Sequence, residues 1–529
     1  MYIKPFFSCV LFFTVFLLCG YQQANAQNGG RPFSLGFYTP AGDSGNVHSS
    51  MRDFSTQTQF DLPATDSARF SGFKGWVYRK LLREDLVVIK DKDYSFNISF
   101  LPDWQAGHSS VNGGNWLNTR GVSLSGKVGN NLTFRSEFYE NQGKFPQYTR
   151  DFAEATGVMP GGLGEVKPHE LNHAYDFAYS TALINYKAGK YFDFQLGYDK
   201  NFIGDGYRSM LLSDNAFNYP FFKLKFTAGQ VQYTAMWAQF IDMAYPMSSY
   251  DNGYRKKWGA FNYLDWNVTK KFSIGLFESV IWQDSDSTGK RGFDVSYLNP
   301  ILFLRPVEFA NGSPDNALIG FNLKYATGRK SALYGQLLLD EFKIKELKAG
   351  KGWWANKFGG QLGFRANDAF GIANLNVLTE TNFARPFTFS ERSTLNNYGH
   401  DNLPLAHPMG ANFVEWVNIA DYRIKRWFFR GEVMYAREGL DSAGYNFGHD
   451  IFKSYDTRAY EYGNYLLQGL GTNVVFVQGK AAFLLNPANN LRLELTVGRR
   501  SETNSQWKKQ ETFFSFGLRS SFRQLVHDF

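Results

Sequence analysis

From about residue 93 onward the chain repeats one pattern, in which stretches of about ten residues alternate apolar and polar side chains before a turn or loop intervenes. Tyr94, Phe96, Ile98 and Phe100 are apolar, with Ser95, Asn97 and Ser99 between them. Phe192, Phe194, Leu196 and Tyr198 alternate with Asp193, Gln195 and Gly197. Trp427, Phe429, Gly431, Val433 and Tyr435 alternate with Phe428, Arg430, Glu432 and Met434, and Leu491, Leu493, Leu495 and Val497 with Arg492, Glu494 and Thr496. Period two is the mark of a β-strand, because successive side chains point to opposite faces. Charges on the second face make that face wet.

A soluble β-sandwich also alternates. Strand length separates the cases: soluble strands cluster near ~5–6 residues, whereas membrane-spanning strands need ~9–11, the length found here. The connectors also sort. Short ones include Gly129-Asn130-Asn131, Ala188-Gly189-Lys190, Ala228-Gly229, Thr269-Lys270-Lys271, Ala366-Asn367-Asp368 and Asn486-Pro487-Ala488-Asn489-Asn490. Between them fall long polar segments at 141–171, 284–315, 382–408 and 438–467. Short turns on one side and long loops on the other are the arrangement of an outer-membrane barrel. The expected fold is all-β: a transmembrane outer-membrane β-barrel of about 18 antiparallel strands over residues 93–529, both ends on the periplasmic side. Phe514, Phe516, Leu518 and Phe522 form the apolar face of the last strand, and the alternation fails at 524–528, so that strand is expected to stop near Phe522.

The N-terminus differs. Lys4 precedes an apolar run from Phe6 to Leu18, and Ala24-Asn25-Ala26 is a small-residue cleavage signal, so residues 1–26 read as a secretory signal peptide. Both cysteines, Cys9 and Cys19, lie in that segment. The mature chain then has no disulfide, thiolate nucleophile or cysteine-bound metal. Residues 27–92 form a loop and helical segment, with helical spacing over 76–88 that places a short helix on the periplasmic side or in the lumen.

Aromatic residues make up 18% of the chain, yet its mean hydropathy is −0.36. The first figure excludes a disordered chain; the second excludes a bundle of apolar membrane helices. The net charge of +8 is spread out: Arg255-Lys256-Lys257 is the longest basic group, so no nucleic-acid footprint is present. A diffuse positive balance suits anionic polymers or outer-membrane lipid.

His169-Glu170-Leu171-Asn172-His173 matches the zinc-protease pattern, which requires a helix. Pro168 precedes it and a strand-like run over 175–186 follows, so it reads as a chance match at a loop–strand junction. Gly161-Gly162-Leu163-Gly164 and Ala349-Gly350-Lys351-Gly352 read as loops, since neither leads into a phosphate-binding helix. His108, His169, His173, His400, His407 and His449 fall in or beside outer loops and read as solvated. No catalytic constellation, metal site or cofactor emerges.

Segments rich in Tyr, Trp, Asp, Asn and Arg suit sugars, because aromatic faces stack on sugar rings while carboxylates and amides bind hydroxyls. Two stand out: Asn201-Phe202-Ile203-Gly204-Asp205-Gly206-Tyr207-Arg208-Ser209 and Trp353-Trp354-Ala355-Asn356-Lys357. Asp205, Tyr207, Arg208, Trp353, Trp354 and Lys357 are the candidate glycan-binding residues. Against this stand an interfacial girdle for the tryptophans and a loop folded into the lumen for Asp205–Arg208.

The segment 197–209, with Tyr297-Leu298-Asn299-Pro300-Ile301-Leu302-Phe303-Leu304-Arg305-Pro306-Val307-Glu308 and Leu339-Asp340-Glu341-Phe342, resembles Bacteroidetes outer-membrane proteins named for gliding motility (RemB-like). It is similar more distantly to the capsule-assembly Wzi family. The resemblance covers most of the mature chain and implies an 18-stranded barrel, with an N-terminal periplasmic helical part, that holds capsular polysaccharide at the cell surface. It transfers no site residue. The expected function is non-enzymatic: binding or organising surface polysaccharide, in capsule assembly or gliding motility, with motility or capsule-export machinery as further partners. The alternatives are a porin-like diffusion channel and a surface hydrolase.

Overall fold

The computed structural model describes residues 48–52, 72–169, 174–243, 253–286, 289–299, 315–520 and 528–529. Eighteen antiparallel strands close into a barrel. They are β1 (Tyr94–Ser109), β2 (Gly113–Val128), β3 (Leu132–Lys144), β4 (Ala174–Ala188), β5 (Phe192–Asp199), β6 (Tyr219–Ala228), β7 (Val231–Asp242), β8 (Arg255–Asn267) and β9 (Phe272–Gln283). The second half comprises β10 (Asn316–Ala326), β11 (Ser331–Glu341), β12 (Lys357–Ala366), β13 (Leu375–Ala384), β14 (Phe413–Ile424), β15 (Trp427–Leu440), β16 (Leu470–Asn486), β17 (Leu491–Thr503) and β18 (Lys508–Arg519). The signal-peptide expectation for 1–26 lies outside the described residues.

Odd-to-even connections form the outer side. Most are long: 145–173, 200–218, 284–315, 385–412 and 441–469. Two depart from that expectation, the tight connections 110–112 and 504–507, because β1 and β2 reach 16 residues each and β17 runs on to Thr503. β2 starts at Gly113, earlier than its sequence suggests. Gly113-Gly114-Asn115 looks like a turn, but Asn115 and Thr119 face inward while Trp116 faces outward, which continues the alternation.

Burial runs opposite to that of a soluble protein. In β17, Arg492, Glu494 and Thr496 are buried and Leu493, Leu495 and Val497 are exposed. The apolar exterior is the lipid-facing band. Tyr94, Tyr186, Trp266, Tyr325 and Trp427 are exposed near the periplasmic ends of their strands, and Trp104, Trp116 and Trp416 toward the outer ends, which makes the two aromatic girdles. The fold is therefore that of a membrane-spanning outer-membrane barrel.

The seam joins β18 to β1, from Phe513 opposite Ser109 to Arg519 opposite Asp103. Arg519 also pairs with Asp103 at 3.0 Å across it. β18 stops at Arg519, short of Phe522, which lies outside the described residues. A separate strand, Val87–Lys90, takes over and pairs with Ser95–Ile98 of β1. The helix expected over 76–88 spans Gly72–Leu82 (α1). It ends early because Val87, Val88 and Ile89 are β-branched and find this open edge. Asn486 holds α1 to β16 by donating to Lys80 O (3.1 Å) and Glu84 O (3.0 Å).

The lumen is filled. Met210, Leu211 and Leu212 of the 200–218 loop, with Leu403, Leu405 and Met409 of the 385–412 loop, pack against inward Phe240, Phe261, Phe277, Leu338, Phe413 and Phe476 as one apolar core. A piece of the N-terminal segment lies in the same core: Met51–Arg52 pairs with Phe202–Ile203 as a two-stranded sheet.

Candidate functional site

The 200–218 loop is locked into the lumen by charge. Asp205 accepts from Ser49 Oγ (2.7 Å) and Asn322 Nδ2 (3.0 Å), and Arg365 lies 3.4 Å away. Burial pushes its carboxyl up, but Lys324 and Arg365, with the Ser49 and Asn322 hydrogen bonds, outweigh that and hold it well below the usual range. Gly206 passes so close to β13 that a Cβ there would overlap the Glu380 carboxylate. The same carboxylate accepts the backbone N–H groups of Tyr207 (2.8 Å) and Arg208 (3.0 Å). The Arg208 guanidinium then reaches Glu415 of β14 (2.9 Å) and Asp528 (3.0 Å), and Tyr207 Oη donates to Asp528 (2.9 Å). The Gly-Asp-Gly-Tyr-Arg-Ser run is a lock, fitted residue by residue against the inner faces of β10 to β14.

Two histidines correct the solvated reading. His400 and His407 are buried. His400 Nδ1 accepts from Ile241 N (3.1 Å), so its Nε2–H donates to Asn218 O (3.2 Å). Burial pushes it down to about 3. His407 Nδ1 accepts from Met409 N (3.2 Å), and its Nε2–H donates to Glu415 (2.7 Å). Burial again lowers it. The backbone of Lys167–His169 is extended and pairs with Ala174–Asp176, so no protease helix starts there; Glu170 and His173 lie outside the described residues.

Above the lock, two outer loops build an aromatic rim. In the 342–356 loop, Lys343 N donates to Asn356 Oδ1 (3.0 Å), which closes the loop around helix α2 (Ile344–Ala349). Its far side runs against the 441–469 loop through Gly463 N to Lys351 O (2.9 Å), Asn464 N to Gly352 O (2.9 Å) and Trp354 N to Glu461 O (3.1 Å). Gly352 has φ +65°, and a Cβ there would sit 2.9 Å from Asn464 N, so only glycine lets the loops meet. Trp354 packs on Tyr455 (4.7 Å between ring centroids) with the Arg458 guanidinium 4.4 Å from its ring. Lys343 lies 4.6 Å from the Trp353 ring. Tyr460, Tyr462 and Tyr465 stand exposed around them.

The six sequence candidates therefore fall in two places. Trp353 and Trp354 are half-buried in the rim. Lys357 lies beneath it, fully buried between Asp340 (3.1 Å) and Glu391 (3.2 Å). Asp205 and Arg208 are buried in the lumen and Tyr207 is half-buried beside them, the lumenal placement weighed above; a polymer at the outer surface does not reach Asp205 or Arg208. The rim also holds residues that sequence reasoning passed over: Tyr455, Arg458, Tyr460, Tyr462 and Tyr465. The signal was present, since 455–465 is as rich in Tyr, Asp, Arg and Asn as the segments singled out.

No protein-family model matches the chain, and no curated protein matches its sequence. Among solved structures it is similar to Escherichia coli Wzi, described as an outer membrane protein involved in group 1 capsule assembly and a carbohydrate-binding β-barrel. The two share 13% identity over 87% of this chain and 90% of that one, with a TM-score of 0.50. It is also similar to Pseudomonas aeruginosa OprD, at 10% identity over 87% of this chain and 98% of that one, TM-score 0.43. At such identities the likeness is one of fold.

Proposed function

We propose that this protein is a non-enzymatic outer-membrane barrel that binds surface polysaccharide at its outer rim. The observation that carries the reading is the grouping of Trp353, Trp354, Tyr455, Tyr460, Tyr462 and Tyr465 on two loops joined by backbone hydrogen bonds. Such rings offer flat apolar faces to sugars, and Lys343, Arg458 and Glu461 supply charge and hydrogen bonds between them. The carbohydrate binding described for Wzi, a barrel of the same fold, supports it. Asp205, Tyr207, Arg208 and Lys357 serve the site by holding the loops beneath it.

The physiological setting we propose is retention of capsular or exported polysaccharide, and the same grip would serve gliding on a polysaccharide layer. The test is a Trp354→Ala/Tyr462→Ala double variant in a deletion strain. Surface glycan, or spreading, should fall while the barrel keeps its heat-modifiable gel mobility. Unchanged glycan and spreading would refute the reading. The rival, a porin-like channel, requires a water-filled path. The apolar core and the Arg208–Glu415 pair lie across the lumen, so planar bilayers should show low conductance; large steady single-channel steps would favour the rival.

A further inference from the structure

One buried carboxylate is left out of the lock. Gly399–His400 and Leu403–Pro404 form a small hairpin in the 385–412 loop, with Asp401 and Asn402 at its tip, both at positive φ (54° and 53°). Asn402 Nδ2 donates to Thr156 O (2.9 Å) and Asp401 N to Ile241 O (3.3 Å). The tip is thereby pressed against the last residue of the outer-loop helix Gln147–Thr156, the end that carries the helix's partial negative charge. Asp401 is 1% exposed, and neither carboxylate oxygen accepts a hydrogen bond. An ionised carboxylate so placed is strongly destabilising unless a proton or a cation meets it.

Its surroundings add negative charge. The Val158–Glu165 bridge and the bond from Val166 N to Gly157 O (2.9 Å) hold Glu165 beside the Thr156 end of that helix, and burial and then Glu165 push the Asp401 carboxyl up to about 7. The Glu165 side chain is exposed and accepts from Tyr254 Oη (2.9 Å). The Tyr198 and Tyr254 hydroxyls feel both carboxylates. A buried Asp with two unused oxygens and an exposed Glu, with the Tyr198 and Tyr254 hydroxyls near both, offer oxygen donors only.

We propose that Asp401 and Glu165, with the hydroxyls of Tyr198 and Tyr254, form a site for a divalent cation, and that the cation is Ca2+. Hard oxygen donors without nitrogen or sulfur select Ca2+ or Mg2+, and an irregular set from separate loops suits the flexible geometry of Ca2+ better than the octahedron of Mg2+. Two carboxylates set the affinity in the range of extracellular Ca2+ modules, about 10⁻⁴–10⁻³ M. The ion ties three outer segments together: the part of the 145–173 loop around Glu165, the connection carrying Tyr254, and the 399–404 hairpin.

The test uses the full chain, refolded in detergent from inclusion bodies so that no lipopolysaccharide contributes Ca2+ sites, and stripped with EDTA. Calorimetric titration with CaCl2 should give one site, weakened at least tenfold in Asp401→Asn and in Glu165→Gln. Thermal unfolding should shift upward with Ca2+ in the wild type and not in either variant. Glu165 is exposed, so its variant reports even where Asp401→Asn fails to fold. Absence of saturable Ca2+ binding, or binding equal in wild type and Glu165→Gln, would overturn the proposal. So would an Asp401→Asn protein that folds and keeps its Ca2+ response, the result expected of a carboxyl that is simply protonated.

Discussion

Replacing Arg208 by Met removes the only cation bonded to both Glu415 and Asp528 among the described residues while keeping much of the side-chain volume. Deleting one partner of a buried ion pair costs about 3–5 kcal/mol, because the other charge stays buried. Glu415 would keep hydrogen bonds from His407 (2.7 Å) and Asn382 (2.9 Å), and Asp528 that from Tyr207 (2.9 Å). Those remaining donors place the cost near the lower end, about 3 kcal/mol. At about 1.4 kcal/mol per tenfold, the population with the 200–218 loop released should rise roughly 100-fold. The strand ladders do not involve Arg208, so the barrel itself should persist. Hydrogen exchange resolves the two, since the amide of Met210 bonds to Gln336 of β11 and those of Leu211 and Leu212 to Ser209 of the same loop. Their protection should fall about a hundredfold against strand amides, with bilayer conductance rising in parallel. Combining Arg208→Met with Glu415→Gln should restore part of the protection, because one of the two buried charges is removed as well. Unchanged exchange at 210–212, or an equal loss over all strands, would refute the reasoning.

Gly206→Ala should release the same loop at a cost of about 1–3 kcal/mol through overlap with Glu380, whereas Gly114→Ala, with open space around it, should be silent in the same exchange measurement. Gly352→Ala should part the 342–356 and 441–469 loops and lower glycan staining without changing heat-modifiable mobility; undiminished staining would place binding elsewhere. His400 is held neutral when folded, with its value pushed down from 6.5 to about 3. Its contribution is therefore present above pH 6.5 and lost as the pH falls toward 3, because only the released ring takes up a proton. Because the Asp401 carboxyl in the same hairpin is pushed up to about 7 and titrates in the opposite sense, the readout is the difference: exchange at 398–405, corrected for intrinsic rate, should rise with falling pH in the wild type relative to His400→Gln.

The barrel was legible because lipid imposes a rule at every second residue. Arg492, Glu494 and Thr496 inside and Leu493, Leu495 and Val497 outside follow that rule, and the connector lengths supply the sidedness. The rule weakens where small polar residues replace it, as at Gly113-Gly114-Asn115, where β2 begins. The lock was harder to read. Asp205, Tyr207 and Arg208 have the chemistry of a sugar site and of a buried ion network alike, and only the strands they meet, β10, β12, β13 and β14, decide between the two. Lys357 is the same case: next to two tryptophans it looks like a ligand for acidic sugars, yet Asp340 and Glu391 already neutralise it.

The strand Val87–Lys90 sets a dimension of the barrel. It lies along β1 on the periplasmic side of the stretch that β18 occupies, with residues 99–102 between the two ladders, so the last strand cannot slide past that gap without colliding with it. Strand number and stagger together fix a barrel's diameter. A two-residue slip of β18 keeps every side chain on its proper face, so alternation alone does not forbid it. The short strand caps how far such slips can go. The circumference, and hence the spacing between the rim loops 342–356 and 441–469, is gauged by four residues at the opposite end of the molecule from the surface they serve.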